Sequence, residues 1–248
     1  MSDKSTTYFD LQDALTLGGC PICRIVWKAG HSYLDALLYE GVNDPEGRER
    51  LSRSLGFCSH HNHRLLSFRG ERLGIAILQR AFLQEALRRL RHHSGPPTRS
   101  LRRRVQEHLQ PLTRLELDNE PVIESQGECP VCRHEAEVEA RATLELLKHL
   151  GKLDTALREA GGLCWHHLEL ALNHCYDAST FELLVAVQQV AWETLMGQLD
   201  EYIRKSDYRF RHEPLTQSEK IAAERGVAAL SGELFAAGES NKPGVRKD

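Results

Sequence analysis

Apolar residues recur at helical spacing along most of the chain. In one segment Ala140, Leu144, Leu147 and Leu150 stand three or four residues apart, which places them on one face of a helix. The stretch from Ile25 to Tyr39 has a similar pattern. No segment alternates apolar and polar residues between turn residues at both ends, so strands are not predicted. The pattern therefore predicts an all-α fold.

Two longer amphipathic stretches give the strongest helix predictions. The first has its apolar face at Leu78, Ala81, Phe82, Leu87 and Leu90. The second has its apolar face at Leu184, Val187, Ala191, Leu195, Leu199 and Tyr202. Each follows a histidine-containing motif, so the order of motif and helix is the same in both halves of the chain.

Two short motifs occur twice in this order. CPICR at 20–24 recurs as CPVCR at 129–133, and GFCSHH at 56–61 recurs as GLCWHH at 162–167. The two shifts are nearly equal, which indicates an internal duplication. We therefore predict four parts: a metal-binding helical unit at 8–94, a basic linker with a connecting helix at 95–118, a second unit at 119–212, and a C-terminal segment at 213–248 with a flexible end.

Composition and charge limit the class of protein and the cellular compartment that we expect. The 248 residues are 41% hydrophobic and 27% charged, with a formal net charge of −3, which gives no general attraction to nucleic acid. No apolar run reaches the length of a membrane span, and the first residues lack the features of a secretory signal. We expect a cytoplasmic protein without a membrane partner. In that compartment the seven cysteines are expected as thiols or metal ligands.

Thiolate and imidazole are the ligands of tetrahedral zinc, and two intervening residues let both ligands of a pair face one point. Each half supplies Cys-x-x-Cys and Cys-x-x-His, so we expect each unit to close its own Cys₃His site. The predicted ligands are Cys20, Cys23, Cys58 and His61 in the first unit and Cys129, Cys132, Cys164 and His167 in the second.

Several alternatives stay open at these positions. His60 and His166 compete with His61 and His167 as ligands, although the spacing of three suits one turn of a helix better. The cysteines can also be read as small buried apolar residues without a metal. That interpretation is favoured only for Cys175, which has no counterpart in the first unit.

The metal itself is predicted from the ligand types. Four strong ligands leave no open position and are typical of structural zinc, here two ions per chain. Iron–sulfur clusters are the alternative, since they usually take four cysteines but accept histidine. A catalytic zinc requires that one histidine is not a ligand, which would open a coordination position.

The order of these motifs, followed by a terminal KxDYR and EP, resembles an uncharacterised bacterial family known only as a domain of unknown function. The resemblance extends from Cys20 to about Leu230, and it implies a duplicated metal-binding protein with His61 and His167 at the histidine positions. It implies no activity. The terminal signature reads Arg204, Lys205, Ser206, Asp207, Tyr208, Arg209, then Glu213 and Pro214. We expect this segment to cap a helix, or to line a groove between the repeats.

Three classes of function follow. The favoured one is a structural or interaction module in which zinc pins helices together for a protein partner. The second is an iron–sulfur redox protein or metalloenzyme, although no nucleophile–base pair or phosphate-binding loop is present. The third is nucleic-acid binding through a basic run without acidic residues or aromatic side chains for stacking, formed by Arg88, Arg89, Arg91, Arg99, Arg102, Arg103 and Arg104.

Overall fold

The computed structural model describes residues 5–92, 127–210 and 212–233. Within these ranges the secondary structure is helical and contains no strand, so the predicted all-α fold is confirmed. None of the described helices combines the length and the apolar character needed to cross a bilayer. The predicted linker and the end of the chain lie outside the described residues.

The described α-helices vary from four to 29 residues. They are α1 (Thr6–Thr16), α2 (Pro21–Tyr39), α3 (Pro45–Arg53), α4 (Ser59–Arg64), α5 (Arg72–Arg91), α6 (Pro130–Lys148), α7 (Leu150–Ala160), α8 (Trp165–Asn173), α9 (Ala178–Ser206), α10 (Gln217–Lys220) and α11 (Ala222–Ser231). Short 3₁₀ turns occur at Gly41–Asn43, Leu65–Ser67 and Tyr208–Phe210.

Two compact units divide the chain. Unit 1 comprises residues 1–33 and 131–248, and unit 2 comprises residues 34–130. The boundaries fall within α2 and at the start of α6, which differ from the predicted borders of the two repeats. The four-part division and the duplication itself remain predictions from the sequence.

Unit 1 has a continuous apolar core. Leu11, Leu146, Leu157 and Leu184 are fully buried in it and represent α1, α6, α7 and α9. Helix α7 packs on α1 and on the long helix α9, while α11 packs on α8 and α9. Cys20 and Cys164 belong to the same buried cluster, so this core surrounds one pair of the predicted ligands.

Unit 2 is built on the packing of α3 against α5. The rings of Phe57 and Phe82 meet edge to face with their centroids 6.0 Å apart, and both side chains are buried. Gly56 has a φ of +79°, and a Cβ there would stand 2.4 Å from the Phe82 ring. A glycine is therefore required immediately before Phe57 and Cys58.

The apolar face predicted between residues 140 and 150 is partly wrong. α6 ends at Lys148 and α7 begins at Leu150, so two helices replace one. Leu147 and Leu150 are buried as expected, but Leu144 is 53% exposed. Leu144 lies inside α6, so its exposure reflects the orientation of that helix rather than the break at His149. The observed buried positions of α6 include Ala142, Thr143, Leu146 and Leu147.

The two long helices, α5 and α9, differ in how well their predicted apolar positions match the buried residues. On α9 the predicted face is confirmed at Leu184, Val187, Ala191 and Leu195, which are buried. On α5 Leu78 and Phe82 are buried, but Leu87 and Leu90 are each 50% exposed. Arg89 is buried near the end of α5 instead, so a charged residue takes a position on the inner face that an apolar pattern cannot reveal.

Candidate metal centre

Four of the predicted ligands meet in unit 1. Cys20, Cys23, Cys164 and His167 each offer one ligand atom, and these atoms all lie within 4.8 Å of one another. Cys20, Cys164 and His167 are buried, and Cys23 is partly buried. This group is called set 1 below.

Helix starts position these side chains. Cys20 immediately precedes Pro21, the first residue of α2, so Cys23 follows on the first turn. Cys164 is the N-cap residue of α8, and His167 is the third residue of that helix. Residues three apart on one turn project to the same side, which brings each pair of ligands to one point. The positive end of a helix dipole also favours thiolate at these positions.

A buried glutamine fixes the turn before Cys164. The backbone N–H of Leu163 donates to Gln188 Oε1 at 2.8 Å, and Gln188 Nε2 donates to the Leu163 carbonyl at 3.1 Å. Gly162 has a φ of +81°, and a Cβ there would lie 2.6 Å from the same amide. The turn therefore depends on glycine, both for its backbone conformation and for the close approach of Gln188.

The distances in set 1 suit a single ion. His167 Nδ1 lies 3.1 Å from Cys164 Sγ, 3.3 Å from Cys23 Sγ and 3.4 Å from Cys20 Sγ. The sulfurs of Cys23 and Cys164 are 3.6 Å apart. Ligands at about 2.3 Å from a tetrahedral zinc ion are roughly 3.7 Å from one another. Three thiols and one imidazole nitrogen thus surround a space of the size that one such ion requires.

The second set of ligands has the same chemistry. Cys58, His61, Cys129 and Cys132 form a group whose ligand atoms also lie within 4.8 Å of one another. His61 Nδ1 is 3.3 Å from Cys58 Sγ and 3.5 Å from Cys129 Sγ. As in set 1, the cysteine is the N-cap of a helix, here α4, and the histidine is buried. This group is called set 2 below.

The expectation that each repeat closes its own site is wrong. Set 1 combines the first Cys-x-x-Cys with the second Cys-x-x-His, and set 2 combines the second Cys-x-x-Cys with the first Cys-x-x-His. Helix lengths explain the crossing in the second half. Beyond Cys132, α6 extends about 24 Å to Lys148, whereas the 11 residues of α7 span only about 16 Å. α7 is therefore too short to span the part of α6 that lies beyond Cys132.

The adjacent histidines differ in position. His61 and His167 are 2% and 5% exposed and direct Nδ1 towards the sulfurs, whereas His60 and His166 are exposed. His166 instead donates from Nε2 to Glu139 Oε1 at 2.9 Å. The same oxygen accepts from His167 Nε2, also at 2.9 Å. Glu139 was not identified from the sequence, because it stands 28 residues from His167 among several similar glutamates of α6.

Burial and hydrogen bonds shift the pKa values of three side chains in set 1. Burial raises the pKa of Cys20, whereas hydrogen bonds from Cys20 and Cys23 lower the pKa of Cys164 strongly. Burial lowers the pKa of His167, but its hydrogen bonds with Cys164, Cys23 and Glu139 outweigh burial and raise it to about 11. Without an ion, these hydrogen bonds favour a thiolate at Cys164 and a protonated ring at His167; a bound cation would take the place of the proton on His167 Nδ1 and leave the ring neutral.

A second carboxylate, that of Glu233, binds the backbone of Cys20. The backbone N–H of Cys20 donates to Glu233 Oε1 at 2.7 Å, and Arg24 lies 3.7 Å from Glu233 Oε2. Burial raises the pKa of Glu233. Gly19, with a φ of +77°, leaves the space that this carboxylate occupies, since a Cβ there would stand 1.6 Å from Oε1. Glu233, the second residue after α11, thus helps to fix Cys20 at the start of α2.

A cavity of about 430 Å³ lies beside set 1. Cys20 and Cys164 contribute to its wall, together with the glycine turns that precede them. Its polar lining includes Glu224, Arg225 and Glu233, and Arg225 binds Gln198 at 3.1 Å. The cavity reaches the sulfur side of set 1, whereas the imidazole side is occupied by Glu139.

Comparison with known proteins shows which family the chain belongs to. The sequence model of a family of unknown function, DUF6062, matches residues 3–237. The chain belongs to this family. An uncharacterized 23.9 kDa protein in the xynA 3' region of Caldicellulosiruptor sp. (strain Rt8B.4) is 26% identical over 216 residues, which cover 86% of this chain and 95% of that protein. No solved structure matches the chain.

The matched range of the DUF6062 family includes the cysteines and histidines of both sets. Cys175 belongs to neither set within the described residues. It packs against the apolar core of unit 1, and its Sγ lies 3.4 Å from the carbonyl of Ala171. Its predicted role as an apolar packing residue fits this position.

Two arginines of the basic run are engaged within this DUF6062 protein. Arg88 donates twice to Glu85, at 2.6 and 2.7 Å, and Arg89 donates to it at 2.9 Å. Arg89 is only 5% exposed. Arg91 is exposed, and the remaining arginines of the run lie outside the described residues. Arg88 and Arg89 share the carboxylate of Glu85 on their own helix, and binding of nucleic acid by the basic run stays a prediction.

The DYR segment makes local contacts. Asp207 is the C-cap residue of α9 and accepts from the backbone N–H and the guanidinium of Arg209. Arg204 pairs with Glu213 at 2.5 Å, and Tyr208 is 76% exposed. These contacts end the long helix and turn the chain towards α10. They agree with the capping interpretation of the segment.

Proposed function

We propose that the protein binds two zinc ions, one in set 1 and one in set 2, and that these ions hold its helices together as a scaffold for a protein partner. The observation that carries the proposal is the position of His167 Nδ1, with three cysteine sulfurs at 3.1, 3.3 and 3.4 Å. Three thiols and one imidazole are a complete ligand set for structural zinc.

A single ion fits these distances better than an iron–sulfur cluster. A cluster divides its protein ligands among several iron atoms, and ligands of different irons stand further apart than ligands of one ion, whereas all four ligand atoms of set 1 lie within 4.8 Å of one another. The sulfurs of Cys23 and Cys164 are only 3.6 Å apart and both are close to the same nitrogen. The alternative of a redox protein with clusters therefore ranks second.

An exposed tryptophan favours the interaction role. Trp165 directly follows the ligand Cys164 and is 54% exposed, and its ring stacks on Trp192 with the centroids 6.1 Å apart. Exposed aromatic side chains on a rigid support are frequent anchors of protein interfaces. An ion in set 1 would provide that rigidity, because it holds the residue next to Trp165.

Metal analysis tests the proposal. We expect two zinc ions per chain in anaerobically purified protein, measured by elemental analysis, and no visible absorbance. Cys164→Ser should remove one of the two ions, whereas the matched control Cys175→Ser should retain both, because Cys175 lies outside either set. Iron with sulfide and a coloured protein would replace the proposal with the redox alternative, and wild-type protein without metal would refute both.

A further inference from the structure

One carboxylate oxygen lies between two imidazole rings beside set 1. Glu139 Oε1 is 2.9 Å from His167 Nε2 and 2.9 Å from His166 Nε2. The three side chains differ in exposure: His167 is 6% exposed, Glu139 23% and His166 66%. The carboxylate therefore connects a buried ring, which faces the sulfurs, to a ring at the surface.

The chemistry of this contact fixes the tautomer of His167. A glutamate is ordinarily ionised near neutral pH, and Glu139 Oε1 lies 2.9 Å from each Nε2, so this oxygen accepts a hydrogen bond from both rings. Each Nε2 must therefore carry a proton. A neutral imidazole that is protonated at Nε2 has its lone pair at Nδ1, the nitrogen that lies among the three sulfurs.

We propose that Glu139 is a positioning residue for the ion of set 1: it selects the metal-binding tautomer of His167, holds the ring towards the sulfurs and increases the basicity of Nδ1. His166 completes the arrangement as a second donor that fixes the carboxylate from the solvent side. The inference rests on the proposed binding of zinc, and it assigns the spare histidine a role other than ligation. Hydrogen-bonded carboxylates of this kind typically change metal affinity by 10- to 100-fold.

The charge of Glu139 acts in the same direction. Three thiolates and a neutral imidazole give the zinc centre a net charge of −1, and the Nε2 proton of a metal-bound imidazole becomes more acidic. A carboxylate that accepts a hydrogen bond from this N–H stabilises the bound state, whereas an amide oxygen does so less and an aliphatic side chain not at all. Glu139→Gln and Glu139→Leu should therefore give a graded loss of affinity.

Glu145 provides a matched control on the same helix. Its side chain is 13% exposed and lies 3.3 Å from His149 Nε2, so it too is a partly buried carboxylate beside a histidine. No cysteine set includes Glu145 or His149 in the described part of the chain. Glu145→Gln therefore repeats the substitution, the helix and the type of neighbour without the metal ligands.

Competition with a chelator of known zinc affinity tests the proposal on the full-length protein. We expect one of the two zinc ions to bind about 10- to 100-fold more weakly in Glu139→Gln, and more weakly still in Glu139→Leu. The other ion should be unaffected, and Glu145→Gln should retain both wild-type affinities. His166→Ala should weaken the same ion less than Glu139→Gln, because the bond to His167 remains.

The state of the His167 ring gives a readout that a purely structural role would not change. With ¹⁵N-histidine, wild-type protein should show Nδ1 bound to metal and a protonated Nε2 that exchanges slowly with water. In folded Glu139→Leu that proton should exchange faster.

Unchanged affinity and exchange in both Glu139 variants would overturn the inference and leave the zinc proposal intact. An equal loss in Glu145→Gln would also overturn it, by showing an effect of the helix. Wild-type protein that retains no zinc would overturn both.

Discussion

Gln188 is buried in unit 1 and binds both backbone groups of Leu163, the residue before Cys164. The side-chain amide of Gln188 thus forms hydrogen bonds with the backbone N–H and the carbonyl of Leu163, which are both buried in the turn. A buried backbone group without a partner costs about 1 to 3 kcal/mol. The position of Cys164 therefore depends on a residue 25 positions further along the chain.

Gln188→Leu should lower the free energy of unfolding by about 2 to 4 kcal/mol, because it leaves both groups of Leu163 unpaired. Urea denaturation with metal-loaded protein measures the change. Gln189→Leu is the control, because Gln189 is the next residue on α9 and its side chain is exposed. Equal stability of the two variants would show that Gln188 does not support the turn.

At the scale of single residues, the cysteines and histidines that meet in each set could be predicted from the sequence, but the residues that hold them in position could not. Spacings of three reveal Cys164 and His167 because helix geometry turns a local spacing into a shared direction. Glu139 and Gln188 act over 28 and 25 residues, and Glu233 reaches Cys20 over 213. No local pattern records contacts that only the folded chain creates.

Helix α9 begins with a side-chain cap. Asp177 accepts from the backbone N–H of Thr180 at 2.8 Å and from its hydroxyl at 2.8 Å. Asp177→Ala should lower the free energy of unfolding by about 1 kcal/mol, within the usual range for loss of an N-cap. Thermal denaturation followed by circular dichroism measures it. Asp177→Asn, which retains an accepting oxygen, should recover most of the loss.

Helix α5 carries an acid-sensitive contact. Hydrogen bonds from Arg88 and Arg89 lower the pKa of Glu85 to about 2, compared with about 4.3 for an unfolded glutamate. Because the folded pKa is the lower one, the contribution to stability is complete above about pH 5 and is lost as the pH falls towards 2.

Glu85→Gln should therefore lower the free energy of unfolding by about 1 to 2 kcal/mol at pH 7, and the gap to wild type should narrow as the pH falls from about 5 towards 2. Urea denaturation of both proteins at each pH measures this gap, in which effects common to both cancel. Glu49→Gln is the control, because Glu49 pairs with Arg53 at the exposed surface. A gap that does not depend on pH would contradict the assignment.

At the scale of elements, the class and the position of the helices could be predicted, while breaks and some faces could not. The face of α9 is correct because its apolar positions continue without interruption. The pattern from Ala140 to Leu150 ignored the end of α6 at Lys148, because His149 is not a helix-breaking residue and the nearest glycine, Gly151, lies inside α7. On α5 the buried Arg89 replaces Leu87 and Leu90 through its bond to Glu85, which a hydrophobic pattern does not detect.

At the scale of the molecule, the crossed grouping of ligands gives opposite expectations for two double variants. Cys20→Ser with Cys164→Ser alters set 1 alone and should leave one zinc ion per chain. Cys20→Ser with Cys58→Ser alters both sets and should leave none. Elemental analysis distinguishes the cases, because sites closed within each half would reverse the two results.

Metal removal should affect the whole fold. Structural zinc contributes apparent binding free energies of about 10 to 16 kcal/mol, comparable with the entire stability of a typical domain at about 5 to 15 kcal/mol. A chelator should therefore abolish the cooperative thermal transition seen by calorimetry, and added zinc should restore it. A metal-free protein that melts at the same temperature would show that the ions are not structural.

The grouping itself was the part of the site that the sequence could not predict. Equal motif spacings in two halves are compatible with ligands closed within each half or exchanged between halves, and both use the same eight residues. Only the lengths of the helices between the motifs decide, such as the 19 residues of α6 followed by 11 in α7. Neither length was fixed by the hydrophobic pattern.

The large sequence separation between the residues of set 1 has a consequence for synthesis of the protein on the ribosome. Cys23 and Cys164 are 141 positions apart, so a ribosome that adds about 5 to 20 residues per second needs roughly 7 to 28 s between them. During that interval the first two thiols emerge before their partners exist. The nascent chain is then open to oxidants and to mismatched metals, and the last ligand to leave the ribosome, His167, ends this exposure.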